Sequence, residues 1–161
     1  MADKKITDLT ELTEVASDDY LEIVDTSANT SKKISRENLT GWHFLTTPLT
    51  STSWDGDSYS TTEKTLIDLS AVFGVPAGVK AVMVWVAVRD SASQTTDCFF
   101  RLSPVSTGSA GMTVNCDYVN DRYGRHSLIV PCDANGDIYY QINASGTGTM
   151  DVYLQIWGYW L

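Results

Sequence analysis

The most apolar stretch of the chain, Val79 to Arg89, predicts a β-strand that is buried on both of its faces. Valine occupies every second position, a pattern that disfavours a helix and suits an extended strand. The alternating valines are Val82, Val84, Val86 and Val88, and the residues between them are Ala81, Met83, Trp85 and Ala87. Because both sets are apolar, we expect the strand to lie inside a sheet or against a neighbouring subunit.

Alternating patterns continue to the C-terminus and predict an all-β domain over residues 53–161. Turn-forming residues separate the other strand candidates, which run from Thr61 to Leu69, Asp97 to Leu102, Met112 to Val119, Arg125 to Val130, Ile138 to Ala144 and Met150 to Trp160. Roughly seven or eight strands at even spacing, with no long helix between them, are typical of an antiparallel β-sandwich, jelly-roll-like or similar.

The last candidate strand has two different faces, one suited to a core and one aromatic and half-polar. The first face comprises Val152, Leu154, Ile156 and Gly158, and the second comprises Tyr153, Gln155, Trp157 and Tyr159. A strand this apolar is poorly suited to an open sheet edge. We therefore expect it to be paired centrally or packed against a second subunit.

Residues 1–41 differ from the rest because their apolar residues form three small islands in a polar background. The islands comprise Ile6, Leu9 and Leu12, then Tyr20, Leu21, Ile23 and Val24, then Ile34 and Leu39. Tyr20 to Asp25 is typical of a short strand, and Lys32 to Ile34 is its candidate antiparallel return. Segments below ~40 residues rarely fold without disulfides, metals or oligomerisation. No cysteine lies here, so we expect this arm to become ordered against sister subunits or another docking surface.

Residues 42–52 connect the two parts and are rich in Thr and Ser, with a proline at Pro48. We interpret them as a linker, with Trp42, Phe44 and Leu45 packing on a flanking module. The predicted organisation is an N-terminal docking arm over 1–41, a linker over 42–52 and a β-sandwich over 53–161.

Three blocks of the arm carry a family resemblance. They are Lys-Ile-Thr-Asp-Leu-Thr-Glu-Leu at 5–12, Ser-Asp-Asp-Tyr-Leu-Glu-Ile-Val-Asp at 17–25 and Lys-Lys-Ile-Ser-Arg-Glu-Asn-Leu at 32–39. In this order they resemble the N-terminal module of tailed-bacteriophage fibre and virion-surface proteins. The resemblance implies attachment to capsid or tail proteins through the apolar islands of the arm. It also implies a homotrimer, because such fibre proteins are generally trimers.

The charge distribution narrows the range of partners. The chain has a net charge of −9 and no basic stripe, which disfavours nucleic acid as a partner and gives no attraction to anionic lipid. Its polar start predicts no secretory signal. We therefore expect assembly in the host cytoplasm and residence in the virion. Cys98, Cys116 and Cys132 are widely spaced and odd in number, which favours reduced thiols over a zinc site.

Candidate catalytic and metal-binding groups are few. Asp133, Asn135 and Asp137 have the spacing of calcium ligands, but the downstream glutamate is missing and an Asn-Gly hairpin turn explains the same residues. His43 and His126 are the only histidines, and no motif places either beside a nucleophile. We predict no enzyme, no cofactor and no metal; a hydrolase acting on polysaccharides is the least supported alternative.

Aromatic residues are the better functional lead, since the chain has five tryptophans and eight tyrosines. Those expected in loops or on open faces are Trp54, Tyr59, Tyr118, Tyr123, Trp157, Tyr159 and Trp160. Aromatic rings suit subunit contacts and sugar rings alike, and we favour the core and subunit contacts. The sequence thus predicts a structural subunit of a phage particle, a fibre, spike or decoration protein, with host-surface attachment as an additional role. The alternative is a carbohydrate-binding module for bacterial surface glycans.

Overall fold

The structure is a computed structural model and describes residues 20–25, 30–35, 41–51, 53–54, 56, 60–61 and 63–161. The chain divides into two compact units, Met1–Gly41 and Trp42–Leu161. In the first unit, β1 (Tyr20–Asp25) pairs antiparallel with β2 (Thr30–Ser35), with Leu21 opposite Ile34. This pairing agrees with the strand and return expected from the sequence.

The predicted docking residues of the arm are only partly covered by this hairpin. Tyr20, Leu21, Ile23 and Val24 belong to β1, and Ile34 belongs to β2. Ile6, Leu9, Leu12 and Leu39 lie outside the described residues. The docking role of all nine therefore stays a prediction.

The described part of the second unit is all-β apart from one short helix. Its elements are β3 (Trp42–Leu49), β4 (Thr65–Ile67), α1 (Leu69–Phe73), β5 (Ala81–Asp90), β6 (Phe99–Ser103), β7 (Met112–Asn115), β8 (Gly124–Pro131), β9 (Ile138–Asn143) and β10 (Met150–Trp160). They form two four-stranded sheets in the orders β3-β10-β5-β8 and β4-β9-β6-β7. All the pairings are antiparallel, so the predicted antiparallel β-sandwich is confirmed at this level.

The strand order follows from one long hairpin that is rolled up. Strands β3, β4, β5 and β6 pair with β10, β9, β8 and β7, in that order, and successive pairs fall in alternate sheets. Two further pairings, β10 with β5 and β6 with β9, join these pairs at the centre of each sheet. The last strand is therefore central, as its apolar sequence predicts.

The core lies between the two sheets. The alternating valines of β5 are all fully buried there, and the opposite sheet contributes Phe100, Leu102, Ile138 and Ile142. Burial of each such side chain contributes roughly 1.5–3 kcal/mol relative to exposure. The other face of β5 is only partly buried at Met83 and Trp85. Within this chain, the strand is therefore fully covered by other residues on its valine face only, and not on both faces as expected.

Two segments differ from their sequence predictions. Residues 42–49, assigned to the linker, form edge strand β3 and pair with β10, so the linker assignment is wrong over this range. The predicted strand at 61–69 is limited to β4, and helix α1 follows it. Asp68 caps α1 by accepting the Ala71 N–H at 2.9 Å, and Gly74 ends it with φ 74°.

The position of β3 makes the domain boundary testable. Deletion of residues 1–40 keeps every strand of the sandwich, and we expect a folded protein with an unchanged unfolding midpoint. Deletion of residues 1–52 also removes β3 and the partly buried Leu49, with an expected loss of at least about 3 kcal/mol. Urea unfolding followed by circular dichroism measures both; equal stability of the two truncations would contradict the structural role of β3.

Candidate functional site

One side of the sheet that contains β3, β10, β5 and β8 points away from the core, and we call it the outer face. It comprises Trp42, Phe44, Met83, Trp85, Arg89, Arg125, Ser127, Ile129, Asp151, Tyr153, Gln155, Trp157 and Trp160. Four of the five tryptophans of the chain lie on it. Phe44 is 73% exposed and Ile129 is 57% exposed, so large apolar side chains meet solvent here.

A β-bulge in β10 decides which aromatic residues reach this face. The register shifts between Ile156 and Gly158, so Tyr159 lies opposite Val82 and packs at the core side. The Tyr159 ring stacks on His43 with centroids 5.1 Å apart. Trp160 instead turns outward, with its ring centroid 5.8 Å from that of Trp42. The simple alternation expected for Tyr159 is therefore broken by one extra residue.

A shallow pocket lies at the centre of the outer face. Its volume is about 280 Å³, and it is lined by Met83, Trp85, Ser127, Gln155 and Trp157. The strand pairing explains this grouping, because Trp85 lies opposite Gln155 on one side and Ser127 on the other. The Trp157 indole N–H donates to the Gln155 side-chain oxygen at 3.2 Å. The pocket thus offers aromatic walls with a few polar groups.

A cluster of aromatic and charged side chains lies at one end of the outer face. The Arg89 guanidinium pairs with the Asp151 carboxylate and lies 4.9 Å from the centroid of the Tyr123 ring. Arg125 lies 5.5 Å from the same ring, and the Tyr153 ring is 5.8 Å from it. Tyr123 is therefore held between two cations and a second tyrosine.

The electrostatics of this cluster are those of a fixed ion pair beside a neutral phenol. Burial, followed by the hydrogen bond with Tyr153, raises the pKa of Tyr123 to about 12. The hydrogen bond to Asp151 raises the pKa of Arg89. At neutral pH Tyr123 is protonated and Arg89 neutralises Asp151, so Arg125 supplies the excess charge among these residues.

The other predicted aromatic contacts are dispersed. Trp54 packs on the core, with its ring centroid 5.6 Å from that of Tyr140 in an edge-on arrangement. Tyr118 is 84% exposed in a turn, and Tyr59 lies outside the described residues. Of the predicted residues that the structure describes, only Tyr123, Trp157 and Trp160 belong to the outer face or its end cluster.

Several residues of the face were missed by the sequence reasoning. Trp42 and Phe44 were placed in the linker, and Trp85 was assigned to a strand expected to be covered on both sides. A signal existed for Trp85, because it lies at the middle of the strand face that carries no valine. Its strand partner Gln155 could be identified only from the pairing.

The remaining candidates from the sequence form no common site in the described part of the chain. His43 lies on β3 and His126 on β8, the two opposite edges of one sheet. The Asp133 carboxylate accepts the N–H groups of Asn135 and Asp137 at 2.9 and 3.0 Å, as expected for a turn. Among the described residues, no group of three or more His, Cys, Asp or Glu side chains could hold a metal ion.

The three cysteines are free thiols, and burial is the main cause that raises their pKa values. The pKa of Cys98 rises to about 11, and those of Cys116 and Cys132 rise to about 12. Protonated, largely buried thiols are poor nucleophiles. The structure therefore offers no activated cysteine in its described part.

A second pocket, of about 240 Å³, lies beside the loop that joins β6 and β7 and includes Lys64. Burial, with a smaller effect from Arg101, lowers the pKa of Lys64. Its ammonium group donates to the Ser103 hydroxyl at 3.0 Å and to the Ala110 carbonyl at 2.5 Å. A third hydrogen bond goes to the Thr107 carbonyl at 3.4 Å. Since all three N–H donors of the Lys64 ammonium group form these hydrogen bonds, Lys64 anchors the loop between β6 and β7 and is not available to bind an anion.

No protein-family model and no curated protein matches this sequence. No helix in the described ranges is long and apolar enough to cross a bilayer. The outer face is therefore the candidate functional site on the strength of its own geometry.

Proposed function

We propose that this chain is a structural subunit of a tailed-bacteriophage particle, either a fibre, a spike or a decoration subunit. Its N-terminal arm attaches it to capsid or tail proteins, and its β-sandwich projects from the particle. The three ordered sequence blocks at 5–12, 17–25 and 32–39 support attachment through the arm. The subunit acts as a homo-oligomer, in this proposal a trimer, and resides in the virion after assembly in the host cytoplasm.

The strand order supports a finer assignment of the sandwich as a jelly roll. Numbered within the unit, the sheets read 1-8-3-6 and 2-7-4-5, as the rolled hairpin requires. Double-sheet jelly rolls occur in viral capsid and lectin domains. Because a fold does not determine function, this order supports a virion protein and a glycan-binding module equally.

The open aromatic outer face is the observation that carries the proposal of an interaction protein. It places Trp85 and Trp157 around a shallow pocket and leaves Ile129 and Phe44 exposed. Exposed apolar patches of this kind usually mark contact with a partner. Within the proposal, the subunit therefore binds and supports other molecules and catalyses no reaction.

Particle incorporation tests the attachment role of the arm. We expect full-length protein to co-sediment with particles and a variant lacking residues 1–40 to remain in the supernatant. The truncated variant must keep the circular dichroism spectrum of a β-protein, because misfolding would also abolish incorporation. Normal incorporation of the folded truncation would refute attachment through the arm.

The second candidate function is a carbohydrate-binding module, and the central pocket favours it. Trp85 and Trp157 could stack on sugar rings while Gln155 and Ser127 bond to hydroxyl groups. On an array of bacterial polysaccharides, this function predicts binding that Trp157→Ala reduces at least roughly tenfold, because truncation of an aromatic anchor removes much of the binding energy. Tyr118→Ala, which changes an exposed aromatic residue away from the face, should leave binding unchanged.

A further inference from the structure

We propose that the outer face is covered by a second copy of this chain, with Trp85 and Trp157 at the centre of the contact. The inference rests on the proposed role as a structural subunit and names the partner of its open sheet face. It also explains why Met83 and Trp85 are apolar, although they are only partly buried and the core lies on the other side of the strand.

The composition of the face fits a protein partner better than a sugar. The side chains of Ile129, Met83 and Phe44 carry no strong hydrogen-bonding group. They therefore cannot replace the hydrogen bonds that water forms with the hydroxyl groups of a glycan. Protein interfaces are enriched in aromatic residues, Met and Arg, and depleted in Lys and Glu. No Lys or Glu is among the residues that define the outer face.

The charge of the face favours another copy of the same chain. The protein carries a net charge of −9, so most of its surface repels a second copy. On the outer face, Arg89 and Asp151 neutralise each other. Arg125 makes no ion pair within the described part of the chain and lies at the end of the face. Because this face carries no net negative charge, two acidic copies can meet there without the repulsion that the rest of their surface imposes.

The size of the face is adequate for a stable contact. Four strands at a spacing of ~4.8 Å and eight residues at ~3.3 Å each give a flat footprint of roughly 500 Å². The accessible area is larger than the footprint, because side chains such as Phe44 and Ile129 stand above the sheet. Stable interfaces remove about 800 Å² from each partner, so nearly the whole face would take part.

The decisive experiment compares two matched variants of the full-length chain, Ile129→Asp on the outer face and Leu66→Asp on the opposite sheet. Ile129 is 57% exposed and Leu66 is 48% exposed, so neither change disturbs the core. Light scattering at micromolar concentrations should give a multiple of 17.7 kDa for the unmodified chain and for Leu66→Asp. Ile129→Asp should weaken association at least roughly thirtyfold, because it buries a carboxylate in the contact.

Acrylamide quenching of tryptophan fluorescence reports on the face itself, since four of the five tryptophans lie there. We expect quenching of the unmodified chain to fall as its concentration rises, and quenching of Ile129→Asp to stay constant. A monomer of 17.7 kDa at all concentrations would overturn the inference. So would association that neither variant changes and that leaves quenching unaltered, because the contact would then lie elsewhere, as in the arm.

A sugar on the face would give a third result. If the unmodified chain stays monomeric while soluble dextran protects its tryptophans, the face belongs to a glycan and the inference is wrong. Co-sedimentation with particles is read separately. A monomer that still incorporates through residues 1–40 would overturn the self-contact and the proposed trimer but leave the role as a virion subunit standing, whereas failure of the unmodified chain to incorporate would count against that role.

Discussion

Replacement of Asp90 by alanine is expected to lower the free energy of unfolding by about 3–5 kcal/mol, one of the largest single effects in this protein. The Asp90 carboxylate is completely buried at the end of β5. It accepts hydrogen bonds from the Ala92 N–H at 2.8 Å and from the Ser145 N–H at 3.0 Å. The hydroxyl groups of Ser145 and Thr149 donate to it as well. Alanine would remove this acceptor from the Ala92 and Ser145 N–H groups, whereas the hydroxyls of Ser145 and Thr149 keep alternative acceptors in Thr149 Oγ1 and the Gly146 carbonyl.

The pH dependence distinguishes this carboxylate from a neutral hydrogen-bonding group. Burial alone would raise the pKa of Asp90, but hydrogen bonds from Ser145, Ala92 and Thr149 outweigh it and lower the pKa below the ordinary 3.8. Because the folded state favours the charged form, the contribution to stability is complete above pH 3.8 and is lost as the pH falls through the lower folded pKa.

Urea unfolding of the unmodified protein, Asp90→Ala and Asp90→Asn measures both effects. Asparagine keeps the shape of the side chain, but its NH₂ group would face N–H and O–H donors that need an acceptor. We therefore expect an intermediate loss of about 2 kcal/mol in the free energy of unfolding at pH 7. The difference between the unmodified protein and Asp90→Asn should shrink at pH 3. An identical difference at both pH values would mean that ionisation of Asp90 does not stabilise the fold.

Strand-forming segments could be predicted from the sequence because period-two alternation is a local property. β5 and β10 were located within about two residues, and the inward positions of Val84, Val152 and Leu154 were correct. The short helix α1 was missed because five residues carry too little periodicity to distinguish it from the end of a strand.

Strand order and the composition of the outer face could not be predicted, because both depend on contacts that are distant in sequence. β3 pairs with β10 across more than a hundred residues, and nothing local in a Thr-rich segment indicates that partner. Pro48 argued against a strand there, although an edge strand tolerates proline. The bulge between Ile156 and Gly158 likewise appears only in the register, and it turns Tyr159, which was expected on the open face, toward the core.

The turn at 133–137 gives the second large expected effect, and it was predicted from its Asn-Gly pair. Gly136 has φ 92°, and an added Cβ atom would lie 2.7 Å from the Gly78 nitrogen and 2.9 Å from the Val79 nitrogen. These are backbone atoms of the segment that enters β5, and the Gly78 N–H donates to the Asn135 carbonyl at 3.2 Å. The segment therefore cannot withdraw without losing a hydrogen bond and shifting β5.

Gly136→Ala is accordingly expected to cost about 2–4 kcal/mol, from an unfavourable backbone conformation and a collision with backbone. Gly148→Ala is the matched control, because Gly148 has φ 67° and an added Cβ would meet nothing within 4 Å. Its cost should be only about 1 kcal/mol, that of the left-handed backbone alone. Equilibrium unfolding in urea measures both, and the excess in Gly136→Ala is the energy of the contact between the turn and the start of β5. Equal losses in the two variants would mean that the turn moves freely away from Gly78, and that the close packing of these two segments does not contribute to the stability of the sandwich.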